Sequence, residues 1–222
     1  MESTDIVRQL LISALPILIA ITFHEVSHGY IAYKLGDPTA KMLGRLTLNP
    51  IAHIDIFGTI ILPLMLIVLT NGRFVFGYAK PVPINPMNFR NPRKGMALSA
   101  VAGPVTNMLL ASASFLLWKG LIAPLSGVSP EAAGETVLRP LAMMLQSSIV
   151  VNVVLASFNM IPIPPLDGGR VLTGLLPYKQ AATFSRIEPF GFIIVLVLIY
   201  SGVANHIIMP FITFFLKLFQ LY

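Results

Sequence analysis

The chain has 222 residues, of which 55% are hydrophobic and only 11% are charged, and its mean hydropathy is +0.80. Because soluble domains carry about a quarter charged residues, this composition excludes a soluble globular protein and predicts an all-α polytopic membrane protein with about five or six membrane segments. The absence of cysteine excludes a disulfide framework and a thiolate metal site. The net charge of +6 does not indicate a nucleic-acid partner, because the basic residues are spread over loops between apolar segments.

The first apolar segment, residues 6–35, predicts a membrane helix that ends at the Gly-Asp-Pro sequence of 36–38. It contains the sequence His-Glu-Val-Ser-His. Two histidines four residues apart project from one helical face, and a glutamate after the first can take a proton from a metal-bound water. A lone helical histidine is more often a core residue, but ionisable residues inside an apolar segment are costly without a cavity or partners. The pattern therefore predicts a zinc site with His24 and His28 as ligands and Glu25 as general base.

The segment from Ile54 to Thr70 is apolar but contains Gly58 and Pro63, which leaves its uninterrupted part short for a span. It predicts a re-entrant or tilted helix that does not cross the membrane. Residues 71–94 are rich in β-prone residues, Gly and Pro, which indicates an extended, β-like hairpin or loop. Such a loop is a candidate to bind substrate as an added strand, and an aromatic loop at the membrane interface fits the same pattern. The candidate contact residues are Phe74, Val75 and Phe76.

Two further spans, Met96–Trp118 and Val137–Phe158, precede a proline-rich stretch that must break the helix at membrane depth. Zinc held by two histidines needs at least one more protein ligand. Asp167, which follows this stretch and precedes two glycines, is the first candidate, and a helix N-cap role is its alternative. His53 is the second candidate, although a locally bonded loop histidine is the more usual interpretation. A short helix and two apolar segments, Phe190–Val203 and Ile207–Phe219, complete the chain.

Three separated motifs together resemble the site-2 protease family of intramembrane zinc metalloproteases. They are His24-Glu25-x-x-His28, Ala102-Gly103-Pro104-Val105-Thr106-Asn107, and the stretch from Asn159 to Asp167-Gly168-Gly169. The resemblance implies that one zinc ion per chain is bound by His24, His28 and Asp167, with Glu25 as catalytic base. It also implies that Asn159 assists at the substrate carbonyl. Asn107 is a candidate for positioning substrate or a ligand, or else it permits close helix packing.

The implied function is zinc-dependent hydrolysis of peptide bonds within or next to transmembrane segments of membrane proteins, as in regulated intramembrane proteolysis. We expect one integral membrane domain over residues 1–222, with a catalytic core at about 6–176 and C-terminal membrane helices at about 178–222. PDZ and nucleotide-sensing domains, which many relatives carry, are not expected. An ion or solute transporter with a broken-helix site and an inactive membrane-binding relative are the alternatives. The lack of an internal repeat and the presence of every catalytic residue type favour the protease.

Charge predicts the orientation. The loops at 34–53, 71–94 and 170–188 contain three, five and three of the 15 Lys and Arg residues, so the positive-inside rule places these loops in the cytoplasm. The motif residues lie in the C-terminal parts of their helices, which places the site toward the cytoplasmic side. A prokaryotic plasma (inner) membrane is the expected location, and the sequence does not indicate an oligomeric state.

Overall fold

A computed structural model of the chain describes residues 3–71, 77–126 and 134–221, with side chains except at 3–11, 126 and 135. This described part is helical and contains no β-strand. Short π-helical turns at Ile56–Ile61, Trp118–Ile122 and Gly134–Leu138 adjoin α-helices, and 3-10 turns occur at Pro50–His53 and Pro86–Asn88. The helices are α1 (Ser3–Lys34), α2 (Thr39–Met42), α3 (Leu62–Leu69), α4 (Pro92–Leu117), α5 (Ala123–Ser126), α6 (Arg139–Asn159), α7 (Asp167–Leu175), α8 (Tyr178–Ser185), α9 (Glu188–Tyr200) and α10 (Val203–Leu218).

Three described helices are long and apolar enough to cross a membrane: Ile12–Lys34, Pro92–Leu125 and Thr136–Asn159. Helices α8 and α9 are a fourth candidate if the pair, bent by 67°, counts as one span. The described part thus supports a helical membrane protein with three or four spans, and the predicted five or six are not confirmed. Two further helical stretches, Ile56–Leu69 and α10, are apolar but shorter than the candidate spans. Ile56–Leu69 is only about 21 Å long, whereas the hydrocarbon core is about 30 Å thick.

Helix α4 lies at the centre of the described helices and packs against α1, α6 and α7. Its buried Ser99, Gly103 and Asn107 are four residues apart, so they form a narrow stripe of small and polar side chains along one face. Such a stripe lets helix backbones approach closely in a membrane. Helix α10 covers α6 through an apolar cluster of Ala111, Ile149, Val153, Leu216 and Phe219. The polar face of α4 is therefore directed into the bundle.

An irregular turn, residues 160–166, separates α6 from α7. Prolines at 162, 164 and 165 remove backbone donors, so the helix cannot continue. Gly168 allows the first turn of α7 to pack directly on this backbone, because a Cβ there would lie 2.3 Å from the carbonyl oxygen of Met160. The turn thereby fixes the start of α7, where Asp167 is the first helical residue.

Residues 77–85, which we call the extended segment, take the place of the predicted β-like hairpin. The backbone N–H groups of Tyr78 and Lys80 donate to the carbonyl oxygens of Gly58 and His53, each at 3.0 Å. Further along the segment, the backbone N–H groups of Val82 and Asn85 donate to the carboxylates of Glu25 and Asp37. Because Pro81 and Pro83 lack an N–H, no regular ladder forms, and the predicted hairpin is not confirmed. Phe74, Val75 and Phe76 lie outside the described residues.

Asp37, just after α1, anchors the C-terminal end of the extended segment. Its side chain is 0% exposed, and it accepts hydrogen bonds from the Asn85 N–H at 2.7 Å, the Asn88 amide at 2.7 Å and the Thr39 N–H at 3.1 Å. Burial raises the pKa of Asp37, but the hydrogen bonds from Asn88, Thr39 and Asn85 outweigh burial and leave the pKa below its ordinary value.

Replacing Asp37 with Asn is expected to lower the free energy of unfolding at pH 7 by about 2–4 kcal/mol, because an amide cannot accept all of these bonds. Since the pKa of Asp37 is lowered on folding, the carboxylate contributes stability above about pH 4 and loses it as the pH falls through the folded pKa. The wild type should therefore lose its advantage only below about pH 4. Thermal unfolding in detergent across pH measures this, with the exposed Glu188→Gln as control. Equal stability of wild type and Asp37→Asn at pH 7 would contradict it.

Candidate metal centre

His24 and His28 lie one turn apart on α1, and both are 7% exposed. Their rings pack edge to face, with centroids 4.6 Å apart. Each ring uses its Nδ1 atom to contact α4. His28 Nδ1 is 2.7 Å from the carbonyl oxygen of Ser99, and His24 Nδ1 is 2.5 Å from Asn107 Oδ1. Both imidazoles are thereby fixed against the polar face of α4.

These contacts decide which ring nitrogens carry protons. A backbone carbonyl only accepts, so His28 Nδ1 must donate to Ser99. For His24, the Asn107 amide nitrogen donates to the Ala20 carbonyl at 3.3 Å and to Asn152 Oδ1 at 2.7 Å, which leaves Asn107 Oδ1 as the acceptor for His24 Nδ1–H. Asn152 is itself oriented, because its amide nitrogen donates to a backbone carbonyl of α6 at 2.8 Å. In the neutral rings, both Nε2 atoms therefore present lone pairs.

Asp167 brings a third electron-pair donor to the two Nε2 atoms. Its Oδ2 lies 3.2 Å from His24 Nε2 and 3.3 Å from His28 Nε2, and the residue is 5% exposed. This oxygen is buried without a hydrogen-bond partner. Although Asp167 opens α7, the N-cap residue is Leu166 and no side-chain cap bond is formed there. The Asp167 carboxylate therefore faces the histidines, as the metal-ligand interpretation requires.

His24, His28 and Asp167 form the one group in the described residues that could hold a metal, with ligand atoms within 4.8 Å of one another. Three buried lone pairs that face each other without a proton repel one another unless a cation lies among them. Tetrahedral zinc with bonds of about 2.0–2.1 Å has ligand atoms about 3.4 Å apart. The separations from Asp167 Oδ2 agree with this value, so the donor set fits zinc.

Gly103 of α4 forms the wall behind the two imidazoles. A Cβ at this position would lie 2.5 Å from His28 Nε2 and 2.6 Å from His24 Cε1, much closer than carbon atoms approach in folded proteins. The glycine of the Gly-Pro-x-x-Asn sequence thus gives the rings their space, and the asparagine one turn later holds one of them.

Glu25 lies between the two histidines in sequence and is linked to the extended segment. Its Oε2 accepts a hydrogen bond of 2.8 Å from the backbone N–H of Val82. This contact joins residues 57 positions apart and fixes one oxygen of the carboxylate.

The remaining predicted residues are not part of the metal group itself. Asn107 is 0% exposed, so it faces His24 and α6 rather than a surface that a substrate could reach. The amide of Asn159 donates to the Leu155 carbonyl one turn back at 3.0 Å. His53 is buried and donates from Nε2 to the Thr47 carbonyl at 2.9 Å, which is a local bond outside the metal group.

Sequence reasoning missed Ser99, Asn152 and Val82. Asn152 had a detectable signal, because a buried amide inside an apolar span needs a partner. Val82 acts through its backbone N–H, so its residue type carries no signal of the contact with Glu25. Ser99 accepts from the His28 ring through its backbone carbonyl, and its hydroxyl donates to the His28 carbonyl at 2.9 Å.

Comparison with known proteins shows the family. The chain is 40% identical over 194 residues to a Bacillus subtilis protein, YwhC, which is named as a zinc metalloprotease. The aligned residues are 87% of this chain and 82% of that protein. The chain belongs to Peptidase family M50. The M50 family profile matches residues 118–202, which include Asp167. The Rip2 proteins of Mycolicibacterium smegmatis and Mycobacterium tuberculosis, also bearing zinc-metalloprotease names, are 26% and 27% identical over 188 residues, or 85% of this chain and 66% of theirs. No solved structure matches significantly.

Membership of the M50 family confirms the predicted resemblance to site-2 proteases and the predicted metalloprotease class. The transporter alternative is not favoured. The apolar helices of this chain and its membership of the M50 family indicate a membrane protein.

Gly103→Ala is expected to reduce zinc retention by at least about tenfold, because the new methyl group must displace one or both imidazoles. Gly120→Ala is the matched control, since a Cβ at Gly120 meets no atom within 4 Å. Zinc per chain after dialysis, measured by atomic emission on detergent-purified protein, tests this. Equal zinc content in the two variants would show that α4 does not confine the histidines.

Proposed function

We propose that this chain is an intramembrane zinc endopeptidase that holds one zinc ion per chain with His24, His28 and Asp167. The observation that carries the proposal is the arrangement of two unprotonated Nε2 atoms around an Asp167 oxygen that has no hydrogen-bond donor. Membership of Peptidase family M50 supports the same chemistry. A binding-only or transport role gives no reason for a glutamate beside the first histidine.

Glu25 is the proposed general base. Its Oε2 is held by the Val82 N–H, which keeps the carboxylate beside the histidines while its second oxygen takes the proton of the attacking water. The same carboxyl group then delivers this proton to the leaving amine. When bound, zinc polarises the scissile carbonyl and acidifies the water.

Ser99 and Asn107 are proposed positioning residues. By accepting the Nδ1–H bonds, they keep both Nε2 atoms unprotonated and directed at the site. Asn159 is proposed to donate to the oxyanion that forms on the substrate carbonyl. Its amide nitrogen has two N–H groups, and the bond to the Leu155 carbonyl uses one of them, which leaves the second N–H for the oxyanion.

The proposed substrates are transmembrane proteins cleaved within or next to their membrane segments. A helical substrate hides its carbonyl groups, so it must unwind before the peptide bond can reach the site. We further propose one membrane domain in a prokaryotic plasma membrane with the site toward the cytoplasm, which the Lys and Arg content of the loops supports.

Purified wild-type protein should contain about one zinc per chain, and Asp167→Ala should lose most of it, because the remaining two ligands bind zinc weakly. His206→Ala is the matched control, since this histidine is exposed and contacts the carbonyl oxygen of Gly202, the N-cap residue of its own helix, at 3.1 Å. Zinc is quantified in detergent-purified protein whose helix content is checked by circular dichroism. Full zinc content in Asp167→Ala would remove Asp167 from the ligand set.

Glu25→Gln should retain zinc and lose about 10²–10⁴-fold in cleavage rate, because the amide cannot take a proton. The glutamine can still accept from Val82, so the local structure should persist. Cleavage is measured on a panel of single-span membrane proteins reconstituted with the enzyme, by mass spectrometry of new termini. Glu188→Gln should behave as wild type. Unchanged cleavage by Glu25→Gln would assign the proton transfer to another group.

A further inference from the structure

A basic cavity lies where the first two candidate spans meet the loops. It has a volume of about 350 Å³ and lies between the C-terminal end of α1 and the N-terminal end of α4. Its lining residues are Lys34, Leu35, Gly36, Phe89, Arg90, Asn91, Lys94, Gly95 and Leu98. It shares no residue with the metal centre, so its role is independent of the proposed function.

The charge of this cavity is of one sign. Lys34, Arg90 and Lys94 are exposed and line it, and no acidic residue does. In the described part of the chain, none of the three has an acidic side chain within 4.0 Å. Asp37 follows Gly36 in sequence, but it is fully buried and both of its oxygens accept hydrogen bonds from other residues. Three cations within one cavity without a counter-charge attract an anion.

Apart from Asn91, the remaining lining is uncharged and lacks polar side chains, and it continues along the spans. Leu98, which is 55% exposed, lies nearly two turns into α4, and Leu35 follows directly on α1. The cations lie at the polar end of the cavity, beside the ends of candidate spans that stop at Lys34 and begin at Pro92. A positive rim above an apolar wall at the membrane boundary matches the two parts of a phospholipid. The N-terminal end of α4 adds a favourable dipole for an anion.

We propose that this cavity binds the headgroup of an anionic phospholipid, with the phosphate among Lys34, Arg90 and Lys94 and the start of an acyl chain along Leu98. A zwitterionic lipid is disfavoured, because its headgroup carries a cation into a cavity that already has three. The bound lipid would fix the junction of α1 and α4.

The test titrates the full chain in dodecylmaltoside micelles with phosphatidylglycerol or phosphatidylcholine of the same acyl chains and counts bound lipids by native mass spectrometry. Wild type should bind phosphatidylglycerol about tenfold more tightly. The triple variant Lys34→Gln, Arg90→Gln, Lys94→Gln should lose this preference. A matched triple variant, Lys80→Gln, Lys179→Gln, Arg186→Gln, removes the same charge from exposed positions outside the cavity and should keep it.

Other outcomes would overturn the proposal. Equal binding of the two lipids by wild type, or equal loss of preference in both triple variants, would reduce the effect to the net charge of the loops. Competition by glycerol 1-phosphate at equal concentration would indicate a free-phosphate site instead of a lipid site. If the cavity triple variant unfolds in phosphatidylcholine, the single variants Lys34→Gln and Lys34→Arg decide. The first should weaken phosphatidylglycerol binding, the second should preserve it, and equal binding by both would contradict the proposal.

Discussion

The structure depends on one electrostatic requirement, which is that the Asp167 oxygen and the Nε2 atoms of His24 and His28 share a buried space without a proton between them. Such an arrangement is strongly unfavourable inside a membrane protein unless a cation compensates it. The surrounding residues maintain it. Acceptors on α4 hold the Nδ1 protons, and glycines provide the space that the rings and the start of α7 occupy.

A buried hydrogen-bond network extends from the site into the bundle. From His24 it runs through Asn107 on α4 to Asn152 on α6, and Asn152 continues to Ser148. The donors and acceptors of both amides in this series are matched. The series ends at the backbone carbonyl of Ser148, which can only accept, so the donor and the acceptor of each hydrogen bond in the series are determined. The orientation of His24, a proposed metal ligand on α1, is therefore set by the packing of α4 and α6. A shift of α6 against α4 would change the tautomer or the position of His24, although α6 itself contributes no residue to the metal group.

The sequence predicted the metal group because its information is local. Helical spacing alone places His24 and His28 on one face, and a proline-broken segment inside an apolar chain makes Asp167 conspicuous. Of the residues that contact the proposed ligands and the proposed base, the sequence indicated Asn107 but neither Ser99 nor Val82. The hydrogen bond from the Val82 N–H to Glu25 joins two residues that are far apart in sequence. It uses the backbone of Val82, so the valine side chain gives no indication of this contact. The predicted number of membrane segments is not confirmed for a related reason. Hydropathy measures how apolar Ile56–Leu69 and α10 are, whereas their lengths, which are shorter than those of the candidate spans, follow from where the helices end.

The extended segment shows how a loop outside the spans becomes part of the site. Prolines keep it from pairing with another strand, so its remaining N–H groups are available to the carboxylates of Glu25 and Asp37. Asp37 lies just after the C-terminal end of α1, and Glu25 lies on α1 about three helical turns before Asp37. The extended segment therefore runs beside α1 from its C-terminal end back to the metal centre. The two carboxylates differ in how many of their oxygens accept hydrogen bonds within the fold. Asp37 is fully buried and both of its oxygens accept hydrogen bonds within the fold, whereas Glu25 gives one oxygen to Val82 and has the other for the proposed proton transfer. The stable anchor at Asp37 thus lets the segment hold Glu25, the proposed general base, by a single hydrogen bond without depending on that bond for its own position.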